Sequence, residues 1–185
     1  MRVAVKQKGV EMLKDIPINS FVSKALDLWA NKWLLMAAGD FAAAKYNCMT
    51  IGWGAFGTMW RRPFAQVVVR PMRHTFGFMN DYDTFTLCAF PEKFKDALTL
   101  LGSKSGRDGD KIKESGLTPK KAVAVAAPIF AEAELAIECR KMYWDDFKPN
   151  QILDATIHKL YPEKDYHRIF YGEILRVRGV DAYKA

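Results

Sequence analysis

Short strand-like segments follow one another along most of the chain, and their succession restricts the fold more than any other feature. They are rich in Val, Phe, Thr and other residues typical of strands. No strand–helix–strand rhythm repeats between them, as a parallel sheet would require. The sequence therefore predicts a mainly β fold with five or six mostly antiparallel strands, in a sheet that is open or closed as a barrel. The segments are Trp33–Ala38, Cys48–Trp53, Phe64–Arg70, Thr84–Phe90, Ala131–Cys139 and His167–Arg178.

Three helices are predicted between or beside these strands. Each has apolar residues at close to the 3.6-residue period of a helix. The first begins with Ser20 as its N-cap, the second with Pro91 and the third with Asn150 as N-cap. Gly102 is placed to end the second helix. A further one or two helical turns are expected after Thr75, so the predicted fold is a barrel with appended helices.

The length of 185 residues is sufficient for one sizeable core but not for two. Residues 1–25 are predicted to form an N-terminal arm that leads into the first helix, and residues 26–180 a single domain. The longest apolar runs, Trp33–Gly39 and Ala122–Ala131, are far shorter than the roughly 20 residues of a membrane-spanning helix. The charged N-terminus lacks the apolar centre of a secretory signal. We therefore expect a cytoplasmic protein without a membrane segment.

The net charge of +7 is concentrated in two stretches. Residues 61–75 hold four arginines and no acid, and residues 102–121 hold six Lys or Arg against three acids. The two local charges, +4 and +3, equal the whole excess. Such a distribution fits a compact anion site built from two places in the chain at least as well as a basic stripe along a nucleic acid or a solvated face.

The segment Asn47–Gly57 carries three glycines, Gly52, Gly54 and Gly57, at or near alternate positions. Glycine weakens the interior of a strand and often marks a bulge or a close approach by a ligand or another chain. Two interpretations stay open: a flat ligand that lies against bare backbone, or a twisted barrel strand that turns a corner. The spacing matches neither a Rossmann nor a P-loop motif, so neither of those nucleotide sites is predicted.

The segment Arg70–Thr75 is a candidate phosphate site, because a strand is predicted to end there and a helical turn to begin. Pro71 holds Arg70 in an extended conformation. A helix N-terminus offers unpaired N–H groups and a positive dipole end, and the two guanidinium groups and the Thr75 hydroxyl add further donors. The alternative is an exposed basic turn.

The loop Ser103–Lys111 offers a second set of anion donors. It contains two serines and two glycines, together with Arg107 and Lys111. Asp108 and Asp110 oppose the binding of an anion. A plain surface loop is therefore the alternative interpretation.

His167 follows closely after Asp165 at the head of the last strand. A histidine beside a carboxylate would orient a substrate or donate a proton near neutral pH; the alternative is that it has no chemical role. No His and carboxylate positions recur at the spacing of a helical zinc site. No metal site is predicted, and the three widely spaced cysteines are expected to be small core residues with free thiols: Cys48, Cys88 and Cys139.

Taken in order, seven segments of the chain resemble the flavin reductase-like family. Its members fold as an FMN-binding split barrel and include flavoredoxin-type proteins. The resemblance covers about residues 30–178 and rests on the ordered set rather than on any single motif. The segments are KWLLMAAGD, NCMTIGWGAFGTMW, RRPFAQVVVRPMRHT, FTLCAFP, SGRDGDK, AELAIECRK and DYHRIFYGEI.

The resemblance implies FMN as the cofactor and assigns residues to it. One strand would lie along the edge of the isoalloxazine ring, a second segment would hold the FMN phosphate, and a loop would approach the cofactor from another side. The implied cofactor-binding residues are, in that order, Met49, Thr50, Ile51, Gly52, Trp53 and Gly54, then Arg70, Arg73, His74 and Thr75, then Ser105, Gly106 and Lys111.

The resemblance also implies a catalytic residue and an assembly. His167 matches the histidine of a Gly-Asp-His turn near the exposed face of the flavin, which in reductases helps to receive the nicotinamide or the substrate. In this chain the turn is Asp165-Tyr166-His167, without the glycine. Family members are homodimers with the flavin in the crevice between the subunits, so a homodimer is expected.

Three functions are compared. The first is an FMN-dependent oxidoreductase that reduces free flavin with NADH or NADPH, or passes electrons to a partner protein. The second is a non-catalytic FMN-binding barrel for storage or sensing. The third is a basic nucleic-acid-binding barrel. The first is expected, because the FMN phosphate accounts for both basic stretches without nucleic acid and the flavin supplies the redox chemistry.

Overall fold

The computed structural model describes residues 12–185, and an antiparallel sheet of eight strands forms its body. The strands of this sheet come from the whole length of the described chain. Its strands are β1 (Lys14–Ile16), β2 (Leu34–Asp40), β3 (Lys45–Ile51), β4 (Gly54–Met59), β5 (Arg62–Val69), β6 (Thr84–Ala89), β9 (Leu135–Asp146) and β10 (Arg168–Gly179); two further strands, β7 (Pro119–Lys120) and β8 (Ile129–Phe130), form a separate ribbon.

Short helices connect and flank the strands. Those of α type are α1 (Ala25–Asp27), which continues as one π-helical turn at Leu28–Lys32, α2 (His74–Asp81), α3 (Lys95–Ser103) and α4 (Lys111–Ser115). The 3₁₀ turns are Ile18–Ser20, Glu92–Phe94, Pro149–Gln151, Ala155–Leu160 and Asp181–Tyr183. Between residues 12 and 185, none of the helices combines the length and the hydropathy needed to cross a membrane.

The strand order leaves a gap between two strands that are neighbours in sequence. The sheet runs β3-β2-β6-β9-β10-β5-β4, with β1 added to β10, so β3 and β4 form its two ends. Only residues 52 and 53 connect β3 to β4, yet in the described chain each of these strands pairs on one side only, with β2 and with β5. The two ends therefore meet at one point and diverge from it, which makes the sheet a split barrel.

Strand β2 is buried on both of its faces. Leu34 and Met36 belong to the core inside the sheet, whereas Leu35 and Ala37 belong to a second core on the outer face, under α3. All four residues have an exposed fraction of zero. This arrangement explains why the sequence of this strand is continuously apolar rather than alternating.

The three cysteines are buried free thiols, as predicted. Burial raises the pKa of Cys48 and Cys88 to about 12 and raises that of Cys139 as well. A thiol with such a pKa carries almost no thiolate at neutral pH. These side chains therefore serve as packing residues.

All six predicted strands form, with corrections at their ends. The largest concerns β9, because Ala131 to Glu134 form a turn and the strand instead continues to Asp146. Glu138, a charged residue within this strand, is fully buried. The structure also contains four strands that the sequence did not predict, β1, β4, β7 and β8. At β4, the closely spaced glycines indicated either a flat ligand against bare backbone or a strand that turns a corner.

The first predicted helix begins later than expected, at Ala25, and the third predicted helix is wrong. Ser20 caps nothing: its N–H donates to Pro17 at the end of a 3₁₀ turn, and the next residue, Phe21, forms a bridge with Lys184. The helix expected from Asn150 to residue 160 is replaced by two 3₁₀ turns. Leu153 between them is 98% exposed, so no core lies behind this segment to stabilise a full helix.

The predicted arm lies only partly within the described chain, because residues 1–11 fall outside it. Of the remainder, Lys14–Ile16 pairs with Val177 to Gly179 as an edge strand of the sheet. The division of the chain at residues 25 and 26 stays a prediction.

Candidate functional site

Two adjoining cavities open where β3, β5 and the start of α2 meet. Met49, Arg70 and Arg73 belong to the walls of both cavities, so together they form one cleft. The larger has a volume of about 390 Å³ and is bounded by the start of α2 and the loop after α3. We call it the basic cavity. The smaller, of about 180 Å³, lies along residues 49–53, and we call it the strand-side cavity.

Five cationic side chains line the basic cavity: Arg70, Arg73, Lys104, Arg107 and Lys111. Two of them have carboxylate partners. Arg70 donates to Asp165 at 3.0 and 3.1 Å, and Lys104 donates to Glu114 at 2.8 and 2.7 Å. For the other three, the structure from residue 12 onward shows no ion pair with an acid. The cavity therefore keeps an excess of positive charge.

Two of these three cations are held in place by carbonyl groups. Lys111 is buried, and its Nζ donates to the carbonyls of Leu101 and Lys104, both at 3.0 Å. Arg107 donates to the carbonyl of Met72 at 3.2 Å. Carbonyl oxygens orient an ammonium or guanidinium group without neutralising its charge. The positive charges are thus fixed at the wall and remain available to an anion.

The pKa values around the cavity show the effect of this charge. Burial lowers the pKa of Lys111, and the charge of Arg73 lowers it further. Burial likewise lowers the pKa of His74, with added contributions from Arg107 and Lys111. Adding another positive charge here is unfavourable, so the cavity favours a ligand that brings negative charge.

Helix α2 begins at this wall. Arg73 occupies its N-cap position in an extended conformation, and the N–H of Phe76 is the first to find a partner inside the turn, at the carbonyl of Arg73. The N–H groups of the two preceding residues belong to the unpaired set of a helix N-terminus. The positive end of the helix dipole adds to the charge of the cations.

The Thr75 hydroxyl is engaged within the protein. It accepts a hydrogen bond from Nδ2 of the buried Asn47 at 2.9 Å and lies 3.4 Å from the carbonyl oxygen of Cys48. The residue is 1% exposed. Thr75 therefore fastens the start of α2 to β3, and its hydroxyl is not directed freely into the basic cavity.

Gly106 brings the loop after α3 close to the same point. A Cβ atom at this position would lie 2.7 Å from Oδ1 of Asn47 and 3.0 Å from Cδ2 of His74. Any larger residue would push the loop away from the start of α2. This close approach closes the basic cavity on its second side and makes it a cradle for a small anionic group.

The strand-side cavity follows the free edge of the sheet. Its wall is formed by residues 49–53 at the end of β3, together with Val68, Arg70, Arg73 and His167. Because β3 is the last strand on this side, its outward backbone groups have no partner strand in the described chain. Trp53 is 47% exposed, and its ring centroid lies 5.1 Å from that of His167. This wall offers backbone donors and acceptors and two flat rings.

His167 is held by Tyr161 rather than by the neighbouring carboxylate. The Tyr161 hydroxyl and Nδ1 of His167 are hydrogen-bonded at 2.7 Å, whereas Asp165 is paired with Arg70. Burial, followed by the charge of Arg70, lowers the pKa of His167 to about 4, although Asp165 acts in the opposite direction. The imidazole is therefore neutral at pH 7, and it does not serve as a cationic proton donor there.

This buried neutral histidine predicts a pH dependence of stability. The unfolded chain binds a proton on His167 as the pH falls below 6.5, but the folded chain does so only near its pKa of about 4. Stability is therefore complete above pH 6.5 and is lost as the pH falls toward 4. The difference corresponds to about 3 kcal/mol.

The measurement is the free energy of unfolding in urea at pH 7 and pH 4.5, for the wild type and His167→Asn. We expect the acid-induced loss to be about 2 kcal/mol smaller in the variant. Equal losses in the two proteins would show that His167 does not carry the effect.

Thirteen of the fourteen residues assigned from the sequence line this cleft. The exception is Gly54, which faces away: a Cβ atom there would lie 2.4 Å from the Trp29 ring and 2.5 Å from the carbonyl oxygen of Gln66. Gly54 thus permits close packing inside the sheet. Arg107, which the sequence offers as an anion donor without assigning it to the cofactor, also lies in the wall. Three further wall residues are not predicted from the sequence: Val68, Met72 and Lys104.

A split barrel with a cleft lined by cationic side chains defines the structural class of this protein. The family model for the flavin reductase like domain matches residues 34–184. The chain therefore belongs to the flavin reductase-like family, and the predicted resemblance and the split-barrel fold are confirmed.

Several solved structures share this fold. An FMN-binding domain of a flavin reductases-like enzyme from Shewanella baltica OS155 is similar with a TM-score of 0.65 at 17% identity, over 91% of this chain and 77% of that one. Flavoredoxin of Desulfovibrio vulgaris (Miyazaki F) gives 0.62 at 20% identity, over 96% and 78%.

The NADH:FAD oxidoreductase of Streptomyces globisporus C-1027, in complex with NAD and FAD fragments, gives a TM-score of 0.60 at 15% identity, over 79% of this chain and 73% of that one. At these identities the likeness concerns the fold. No curated protein sequence matches the chain.

Proposed function

We propose that this cleft binds FMN and that the protein is an FMN-dependent oxidoreductase. The observation that carries the proposal is the junction of the two cavities. A cradle with three cations that lack acidic partners in the described chain continues into a wall of free strand edge. FMN has the matching form, because a phosphate of nearly two negative charges is joined by a short chain to a flat ring with a polar rim.

The basic cavity would hold the phosphate. Arg73, Arg107 and Lys111 supply positive charge, and the first N–H groups of α2 supply hydrogen-bond donors. Guanidinium groups suit phosphate because their paired N–H groups match two of its oxygens. Ser105 and Gly106 would bring loop backbone to the same group.

The strand-side cavity would hold the ring system. The backbone of residues 49–53 would pair with the polar rim. When bound, the flavin supplies hydride and electron transfer. The chain's own part is to orient the ring, to place N–H groups where reduction adds electron density, and to leave one face open beside Trp53 and His167.

His167 is proposed to receive the electron donor through contact rather than by proton donation. It is neutral and bonded to Tyr161, so its remaining ring nitrogen and its flat face are what it offers to a substrate. NADH or NADPH is the proposed donor. A redox partner protein is the alternative, which the likeness to a flavoredoxin favours.

The test is spectroscopic. The purified full-length protein, incubated with FMN and passed through a desalting column, is expected to be yellow with two flavin absorbance bands. Rapid mixing with NADH or NADPH without oxygen is then expected to bleach the band near 450 nm. If the protein retains flavin but neither donor bleaches the flavin band, we would assign the protein to electron transfer from a protein partner, to storage or to sensing. If the protein retains no flavin, the proposal is refuted.

We also propose that the protein forms a homodimer through an exposed aromatic face. Trp60 at the β4–β5 turn is 58% exposed and lies 6.1 Å from the ring of Tyr143, which is 45% exposed and lies 6.0 Å from the ring of Tyr171. Trp60 and Arg61 both have positive φ values, 51° and 59°, which bulky residues rarely adopt. A contiguous apolar face of this kind marks an interaction site.

Light scattering tests this proposal. The expected molar mass is twice the 21.1 kDa of the chain, and Trp60→Ser is expected to shift the protein toward the monomer. Leu153→Ser, at a fully exposed apolar residue elsewhere, is the matched control and should leave the mass unchanged. A monomeric wild type would refute the homodimer.

A further inference from the structure

A third cavity adjoins the proposed flavin cleft and is not accounted for by it. It has a volume of about 510 Å³, and two of its wall residues, His74 and Arg107, also line the basic cavity. Its other walls include three aromatic residues, Tyr46, Phe78 and Tyr82. We call it the aromatic groove.

The aromatic side chains form a flat and rigid wall. The rings of Phe78 and Tyr82, one helical turn apart at the end of α2, are nearly parallel, with an angle of 11° and a centroid distance of 6.1 Å. The His74 ring meets Phe78 edge-on at 5.4 Å. All three side chains are partly exposed. Such rings provide stacking surfaces for a planar base.

A glycine in the middle of α2 keeps the groove open. Glycine in a helix interior costs about 1 kcal/mol relative to alanine, so it calls for a reason. A Cβ atom added to Gly77 would meet nothing within 4 Å, which excludes close packing as that reason. Because Gly77 itself lines the groove, the absence of a side chain there leaves space for a ligand.

The charges at the groove fit a nucleotide. Lys45 and Arg107 lie in its wall, and the part of the chain that the structure covers pairs neither with an acid. They are suited to a phosphate. Asp81 also lies in the wall, and a carboxylate there would accept hydrogen bonds from ribose hydroxyls. Aromatic rings for a base, cations for a phosphate and an acid for a sugar thus occur in one groove.

We propose that the aromatic groove binds the adenine nucleotide part of a dinucleotide whose other half enters the flavin cleft. The inference rests on the proposed function, because the groove and the cleft share His74 and Arg107. The shared chemistry is adenosine 5′-phosphate, which FAD and NADH both carry. Either FAD is bound as the flavin, or NADH is the donor whose adenosine is anchored outside the cleft.

The first experiment measures 5′-AMP binding to the full-length protein by calorimetry. Gly77→Trp fills the groove, and Gly77→Ala is its matched control, since it removes the same glycine but adds only one methyl group in open space. We expect the wild type and Gly77→Ala to bind 5′-AMP, and Gly77→Trp to bind it at least tenfold more weakly. FMN affinity is expected to stay within twofold in all three.

The second experiment determines whether FAD or NADH is the dinucleotide that the aromatic groove binds. If FAD is the ligand, Gly77→Trp lowers the affinity for FAD tenfold relative to FMN. If NADH is the ligand, the same variant weakens NADH binding to the FMN-loaded protein and leaves the ratio of FAD to FMN affinity unchanged.

Three results would overturn the inference. The first is that 5′-AMP does not bind, and the second is that neither dinucleotide responds to Gly77→Trp. The third is that the variant changes the molar mass, because a second copy of the chain would then cover the groove. In each case intact FMN binding would leave the proposed function standing, whereas a protein that binds 5′-AMP but no flavin would refute the proposed function alone.

Discussion

Arg73→Ala is expected to weaken FMN binding by about 10- to 150-fold. The reason is that Arg73 lines both cavities and occupies the N-cap position of α2. Within the described chain it forms no ion pair with an acid, so its removal leaves no carboxylate without a partner. A hydrogen bond to a charged group is worth about 1.5–3 kcal/mol, and each 1.4 kcal/mol is a factor of ten in affinity. Quenching of flavin fluorescence during titration measures the change.

Arg140→Ala is the matched control for this prediction. Arg140 is an exposed arginine on β9 whose partner, Glu173, also binds Arg62, so its loss changes the net charge equally without touching the cleft. We expect less than a twofold effect on FMN affinity. Raising the salt concentration should reduce the difference between wild type and Arg73→Ala, since the lost term is electrostatic. Equal FMN affinity in wild type and Arg73→Ala would place the phosphate elsewhere.

Glu138→Ala is expected to lower the free energy of unfolding by about 3–5 kcal/mol. Glu138 is fully buried in β9. Its carboxylate accepts from the N–H groups of Val123 and Ala124 at 3.0 and 2.5 Å and from Arg178 at 2.9 Å. Removing one partner of a buried ion pair leaves an uncompensated charge, which costs about this amount. Here two backbone N–H groups would be orphaned as well.

Urea unfolding measures this loss, and Glu163→Ala is the control. Glu163 is exposed, so its removal is expected to change stability by less than about 0.5 kcal/mol. Glu138→Gln should fall between wild type and Glu138→Ala, because the amide oxygen still accepts hydrogen bonds but the charge of Arg178 is no longer balanced. A loss below 1 kcal/mol for Glu138→Ala would mean that the loop and Arg178 find other partners.

Local sequence patterns predicted six of the strands because a buried strand is rich in apolar and β-branched residues. The continuous apolar run of β2 and the Val-rich sequence of β5 can be recognised without knowing which strands lie beside them. The helix expected from Asn150 is absent for the converse reason. Its apolar spacing was suitable, but the surrounding structure supplies no core for it, as the exposed Leu153 shows. Strand β4 was not predicted because Gly54 and Gly57 are atypical of a strand interior. Neighbouring side chains pack so closely against these two residues that a larger residue would not fit.

Individual residues of the candidate site could be predicted from the sequence, but the hydrogen bonds between them could not. Arg73 and Lys111 were recognisable as anion ligands from local charge and position. The engagement of Thr75 with Asn47, and that of His167 with Tyr161, could not be read from spacing, because each joins residues from different strands or turns. The aromatic groove likewise requires Tyr46 and Phe78 to meet across β3 and α2.

The sequence by itself determined the β-rich class, the two basic stretches and the family to which the chain belongs, since all three depend on residue type and order along the chain. Only the tertiary structure decided which cations of the described residues remain without acidic partners, that burial lowers the pKa of His167, and that Gly77 lines a groove. The physical reason is that charge balance, burial and free space arise from neighbours distant in sequence, and folding alone brings those neighbours together.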